Sequence, residues 1–299
     1  MMRPVSLIKA KSTDAFVVVD LDGAEVAAGI VRNARKVLQD GARNLARSAT
    51  YTYAALGLEV SGASAAVNAE GDARDAAVAA FVEELAAREG APRLLLDAGK
   101  GIRPEELEPL RAGDDRRAVD AGQRDRLIGV AAVAAVGAAL GSVDGTTVAV
   151  EPGAAGDAVL DAFREAGATV VPADGDLSTT CDALVVGSKV GAIAHEAVPA
   201  LSTRCLVPVT PLAVTARALA VAKRSGIAVL PDFVIAGGPA LAAWSTTTDA
   251  AAIEAEVAQR IGAITAEAGG HAEGHVLGAC EMAETFLSGW STVPFGRPL

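Results

Sequence analysis

The chain has 299 residues, 51% apolar and 21% charged, which excludes a disordered polar chain unable to bury enough surface to offset its conformational entropy. Its 26 Lys and Arg against 37 Asp and Glu leave a net charge of -11, which excludes a non-specific nucleic-acid binder, because such a surface repels a phosphate backbone. Three separated cysteines and three histidines (His195, His271, His275) give neither a disulfide framework nor a metal-ligand spacing, so no metal is expected and a reducing cytoplasm is the expected location.

The N-terminal stretch MMRPVSLIKAKSTD lacks the apolar core of a secretory signal. DAFVVVDLDG reads as a strand closed by a glycine turn, and its apolar part, Phe16 to Val19, as a subunit edge. Leu38, Ala42, Leu45, Ala46, Ala49 and Tyr53 recur at helical spacing. LGLEVSGASAAVNAEGD is extended and rich in small residues. A helix is expected over about Asp75 to Arg88, and PRLLLDAGKG reads as a buried strand running into a glycine-rich loop. The charged segment Arg103 to Arg126 is expected to be exposed, as a hinge or domain boundary.

The uncharged run Leu127 to Val143 is weakly apolar and marginal in length for a bilayer, so a buried helix packed through small residues is expected, and no membrane association. Strands (TTVAVEPG, ATVVPAD, CDALVVGS, RCLVPV, IAVLPDFV) then alternate with helices (GDAVLDAFREAG, IAHEAVPAL, PLAVTARALAVAKRSG). Such alternation needs crossover connections and a parallel, doubly wound sheet. AIEAEVAQRIGAITAEA and HVLGACEMAETFLSGW close the chain as helices. The expected fold is α/β: an N-terminal α/β domain over 1–124 completed by helices within 265–299, and a Rossmann-type dinucleotide-binding domain over 125–264.

VAVEPGAAGDAV carries the strongest local signal. Gly153 and Gly156, with Ala154 and Ala155 between them, have the spacing of the last two glycines of a dinucleotide fingerprint, and Glu151 stands at the first. Gly153 would let the backbone approach a pyrophosphate, Gly156 would let helix and strand pack closely, and the helix N-terminus would supply N–H groups. Asp174 is placed to accept ribose hydroxyls and repel a 2′-phosphate, which favours NAD over NADP; the alternative is a solvent-facing loop acid. Ser188 and Lys189 in GSKVG are expected to reach a ribose or phosphate of the cofactor.

In the order of these segments the chain resembles the glutamate/leucine/phenylalanine/valine dehydrogenases, NAD(P)-dependent amino-acid dehydrogenases. The resemblance runs through LARSATYTYAALGLEVSGASAAVNAEGD, LLLDAGKG, CDALVVGS and VTPLAVTARALAVAKRSGIAVLPDFV, and so over nearly the whole chain. It implies a substrate and oligomerisation domain, a Rossmann domain, a small-molecule substrate and a homo-oligomer. Asp97 matches the family's catalytic aspartate, Thr210 matches an asparagine near the nicotinamide, and Arg32 matches a substrate-side arginine. Thr50 and Tyr51 match the Thr-Tyr pair, but Thr52 stands where a lysine holds the substrate carboxylate. Ser64 stands where a second lysine assists imine chemistry, and Ile235 where an asparagine precedes Ala-Gly-Gly.

Thr52 and Ser64 hydrogen-bond but carry no cation, so the substrate pocket is expected to leave an α-carboxylate unpaired, with Lys100 a substitute charge or a surface lysine. Asp97 is expected in a partly apolar loop that favours its neutral form and suits it to acid–base work; the alternative is a loop cap. The expected function is a NAD(P)-dependent oxidoreductase acting on a C=O, C=N or amine substrate other than a standard α-amino acid. A non-catalytic structural or regulatory homologue, and a non-redox enzyme using Asp97, stand as alternatives.

Overall fold

The computed structural model describes residues 6–175, 177–293 and 296–299. The chain divides into two compact units, Met1–Asp115 with Glu284–Pro298, and Arg116–Ala283 with Leu299.

In the first unit, β1 (Ser6–Lys9), β2 (Ala15–Val19), β3 (Val26–Ala34), β4 (Ser61–Asn68) and β5 (Arg93–Ala98) form a sheet of order β1-β2-β4-β3-β5. β4, β3 and β5 run parallel; β2 is antiparallel to both its neighbours. Alternation along β2 feeds two cores. Val17 and Val19 pack with Phe81 and Val82 of α2 (Ala73–Ala86), while Phe16 and Val18 pack with Ala42 and Ala46 of α1 (Gln39–Ala55). β2 is therefore inside the sheet and not at the expected subunit edge, because β1 pairs along it. α1 approaches β4 so closely that a Cβ on Gly62 would lie 1.8 Å from the Ala46 carbonyl oxygen.

The second unit carries β6 (Thr147–Val150), β7 (Thr169–Pro172), β8 (Cys181–Val186), β9 (Thr203–Pro208) and β10 (Ala228–Val229) in the order β10-β9-β8-β6-β7, all parallel. The order reverses between β6 and β8, the switch point at which open α/β sheets take ligands. Around the sheet lie α3 (Ala121–Leu140), α4 (Asp157–Glu165), α5 (Ala216–Arg224), α6 (Asp232–Ile235), α7 (Gly237–Trp244) and α8 (Ala250–Gly269). α9 (His275–Ser288) leads back to the first unit, where Tyr51 donates to Glu284 at 2.9 Å. The small residues of α3 serve close packing, as expected: a Cβ on Gly129 would lie 2.8 Å from Ala162 Cβ on α4. Among the described residues no helix is long and apolar enough to cross a membrane.

Three expected elements change. IAHEAVPAL keeps only a short 3-10 turn, Val198–Ala200, because the Ile193 backbone bonds instead to Ala213 and Thr215. The helix expected from Pro211 begins at Ala216, capped by the Thr215 hydroxyl. The last strand shrinks to Ala228–Val229, since helix α6 starts at Asp232, directly after Pro231. The unit boundaries also differ from 124/125 and 264/265. Arg117 N–H donates to Ala243 O at 2.9 Å and Asp120 caps α3, which ties this segment to the second unit. Ile253, Val257 and Ile261 are buried on α8, which packs on α3 and holds the whole helix in the same unit.

Candidate functional site

In the first unit, strand register assembles a polar row. Ser64 is aligned with Ile30, and Ile30 with Asp97. Aligned residues of a parallel ladder share a face, and Arg32, two residues beyond Ile30, joins them. This is the α1 face, since Ala66, two residues from Ser64, packs with Ala42 and Ala46. Arg32 Nη2 donates to the buried Ser64 hydroxyl at 3.3 Å, while Arg32 Nε is buried without a partner. Burial lowers the Arg32 pKa, and among the described residues no carboxylate pairs with it. A buried donor nitrogen left without an acceptor is costly, so this half-buried guanidinium favours an anion beside it.

The loop after β5 leaves room for that side chain. A Cβ on Gly99 would lie 2.8 Å from the Val31 carbonyl oxygen and 3.2 Å from Arg32 Cγ. Only glycine lets this segment lie along β3 beside the Arg32 stem. Ser64 holds no charge, but the Arg32 guanidinium stands beside it. Thr52 does not join them by any hydrogen bond: its buried hydroxyl donates to Ser48 O at 3.1 Å within α1. Lys100 is exposed, and the bond from that residue is its carbonyl accepting from Asn33 N–H at 2.9 Å.

Asp97 is on β5, not in an apolar loop. Its Oδ1 accepts from Arg111 Nη2 at 3.0 Å, and the two side chains are 26% and 31% exposed. Arg111 also pairs with Asp114 at 3.2 Å. The Asp97 carboxylate is therefore part of an ion-paired chain rather than buried among apolar groups.

In the second unit, the fingerprint residues gather at the C-terminal strand ends. Gly153 takes a φ of +76° in the turn after β6, and a Cβ there would meet nothing within 4 Å. Ala154 N–H closes this turn on Glu151 O at 3.0 Å, and Ala155 leads to Gly156, the N-cap of α4. The close helix–strand contact expected at Gly156 is absent: a Cβ there would meet only Asp125 Oδ2, at 3.3 Å. Glu151 turns to β8. Its carboxylate accepts from Gly187 N–H at 2.8 Å, Ser188 N–H at 3.1 Å and the Ser188 hydroxyl. Thr210 donates to Gly187 O at 2.7 Å, so Ser188 and Thr210 meet around one glycine. Asp174 lies beyond β7 and exchanges two bonds with Thr179, at 2.7 and 2.8 Å.

Two residues that organise this rim were not foreseen. In the sequence Glu151 shows only as a departure from the glycine fingerprint. Asp232 is buried and accepts from Phe233 N–H at 2.7 Å and from Leu212 N–H, which fixes the left-handed turn at Leu212 (φ +60°) just after Thr210. Burial pushes its carboxyl up to about 6. Its signal was a lone acid in the apolar run LPDFVI. Among the described residues no group of three His, Cys, Asp or Glu side chains is placed to hold a metal.

Solved structures share this fold over almost the whole chain. L-tryptophan dehydrogenase from Nostoc punctiforme matches with a TM-score of 0.71 at 16% identity, covering 96% of both chains. The hetero-hexameric glutamate dehydrogenase from Thermus thermophilus, in its Leu-bound form, matches at 0.76 and 16% identity over 94% of this chain and 86% of that one. Glutamate dehydrogenase from Peptoniphilus asaccharolyticus matches at 0.69 and 14% identity over 95% and 90%. No protein-family model matches the sequence, and a search of curated proteins returns no match. The chain therefore has the α/β fold of amino-acid dehydrogenase structures, with a Rossmann-like parallel sheet.

Proposed function

We propose that this chain is a NAD-dependent oxidoreductase whose small carbonyl, imine or amine substrate carries an acidic group. The observation that carries this reading is Arg32: a half-buried guanidinium, without a carboxylate partner, on the same sheet face as Ser64 and Asp97. A guanidinium offers a carboxylate two parallel N–H donors, a geometry that neither Thr52 nor Ser64 supplies. Ser64 orients the fork. Asp97 is the proton-transferring residue, held by Arg111.

The strand ends of the second unit suit a dinucleotide in outline. The turn at Gly153 is open, α4 presents its N-terminus beside it, and Glu151 is bound toward β8. Gly153, Ala154, Ala155 and Gly156 would hold the pyrophosphate, with Asp174, Ser188 and Thr210 as further contacts. Asp174, beyond β7, would accept ribose hydroxyls and repel a 2′-phosphate, which supports NAD over NADP. Nicotinamide, when bound, supplies the hydride acceptor or donor. A homo-oligomer is part of the proposal.

A second reading, a non-redox homologue that binds a small anion, is favoured by one observation. Glu151 already occupies the Gly187 and Ser188 N–H groups at the switch point. Titration of the purified protein with NADH, followed by nicotinamide fluorescence, separates the two. A saturable change is expected; none with either NADH or NADPH leaves the second reading.

A further inference from the structure

The second unit also holds a guanidinium with a buried, unpaired nitrogen, that of Arg117. Arg117 Nη1 is buried, and among the described residues it has no hydrogen-bond partner. It lines a cavity of about 40 Å³ between the starts of α3 and α8 and the end of α7. That volume holds a carboxylate-sized group, since one water needs roughly 10–15 Å³. Leu127, Ala242 and Ile253 form its apolar wall.

The neighbouring charges do not neutralise Arg117. The cavity's one acid, Glu254, is engaged by Arg126 at 2.9 and 3.1 Å, and Arg126 also pairs with Glu165. The helix starts are capped by their own chain, Asp120 for α3 and Asp249 for α8, so neither cap is free to serve the cavity. Backbone geometry fixes Arg117 in place, through its N–H bond to Ala243 O at 2.9 Å.

We propose that this cavity is a binding site for a small aliphatic monocarboxylate. Its carboxylate pairs with the Arg117 guanidinium, and its short tail lies on Leu127, Ala242 and Ile253. The site is independent of the proposed reaction and needs no dinucleotide. A charged head on a partly buried guanidinium and a tail on an apolar wall select an acid over the matching alcohol or amine.

Calorimetry with the full chain tests this, using butyrate as the probe and butanol and butylamine as controls. All measurements use an Arg32→Gln background, so that the first unit's cation does not contribute. Saturable butyrate binding is expected, with none for the controls. Arg117→Gln should weaken it about 10- to 100-fold. Ala242→Leu, which fills the cavity and leaves Arg117 in place, should abolish it in a protein that melts no lower. Absence of saturable butyrate binding, equal binding of butanol, or undiminished binding in Ala242→Leu would each overturn the proposal.

Discussion

Arg32 on β3 and Ser64 on β4, 32 residues apart in sequence, meet through a 3.3 Å hydrogen bond that leaves the rest of the guanidinium without an anion. Ser64 is thus an orienting group for a cation. Ser64→Ala removes one neutral acceptor, a loss of about 0.5–1.5 kcal/mol. A panel of small 2-oxo acids should bind the variant roughly 2- to 10-fold more weakly by calorimetry, with neutral carbonyl analogues unchanged. Equal weakening of both sets would show that Ser64 shapes the sheet rather than the cation.

Gly99 makes room for the Arg32 stem. A Cβ there would sit 2.8 Å from the Val31 carbonyl oxygen, which a backbone atom cannot yield cheaply. Gly99→Ala should destabilise the protein by about 1–3 kcal/mol in urea unfolding and also weaken acid binding. An unchanged urea midpoint would refute the close approach.

Asp97 is tested by Asp97→Asn, which keeps the bond from Arg111 and removes the proton-transferring group. Turnover of an accepted substrate should fall about 10²–10⁴-fold, with NAD and acid binding retained. Wild-type turnover in the variant would assign Asp97 to the ion-paired chain with Arg111 alone.

Asp232 gives the fold a defined pH dependence. Burial raises its carboxyl from 3.8 to about 6, so between these values the folded state binds more protons than the unfolded one. Stability then falls as pH rises through this window. The cost of holding the charge is absent below about 3.8 and complete above about 6. Relative to Asp232→Asn, the wild type should lose on the order of 2–3 kcal/mol between pH 4 and 7, read from urea midpoints. Parallel pH profiles would contradict it.

For the cofactor, the turn itself is the sensitive point. Gly153 has a positive φ that a β-branched residue adopts only with strain, whereas Gly156 has an ordinary extended backbone. Gly153→Val should weaken NAD binding at least tenfold in fluorescence titration, and Gly156→Ala should leave it within about twofold. The reverse order would move the site off this turn.

The second unit was largely legible because its signals are local. Runs such as CDALVV and LVP are buried strands in the structure, and the turn at Gly153 followed from glycine spacing. The first unit was less so. β3, VAAGIVRNA, mixes small and polar residues and shows no strand alternation, yet it is the strand that carries Arg32. The Arg32–Ser64 contact depends on the register of β3 against β4, which no single segment encodes. Asp97 stands out in the sequence, but its partner Arg111 lies in a charged stretch that reads only as an exposed hinge or domain boundary.

The most direct measurement is calorimetric titration of Arg32→Gln, beside the wild type, with the 2-oxo acid panel. Arg32→Gln keeps a donor near Ser64 but removes the cation. Wild type should bind at least one acid saturably, and the variant should bind it about 10- to 100-fold more weakly with an unchanged melting temperature. Equal affinity of the two proteins for every acid that binds would contradict the assignment of Arg32 as the group that reads the substrate's charge.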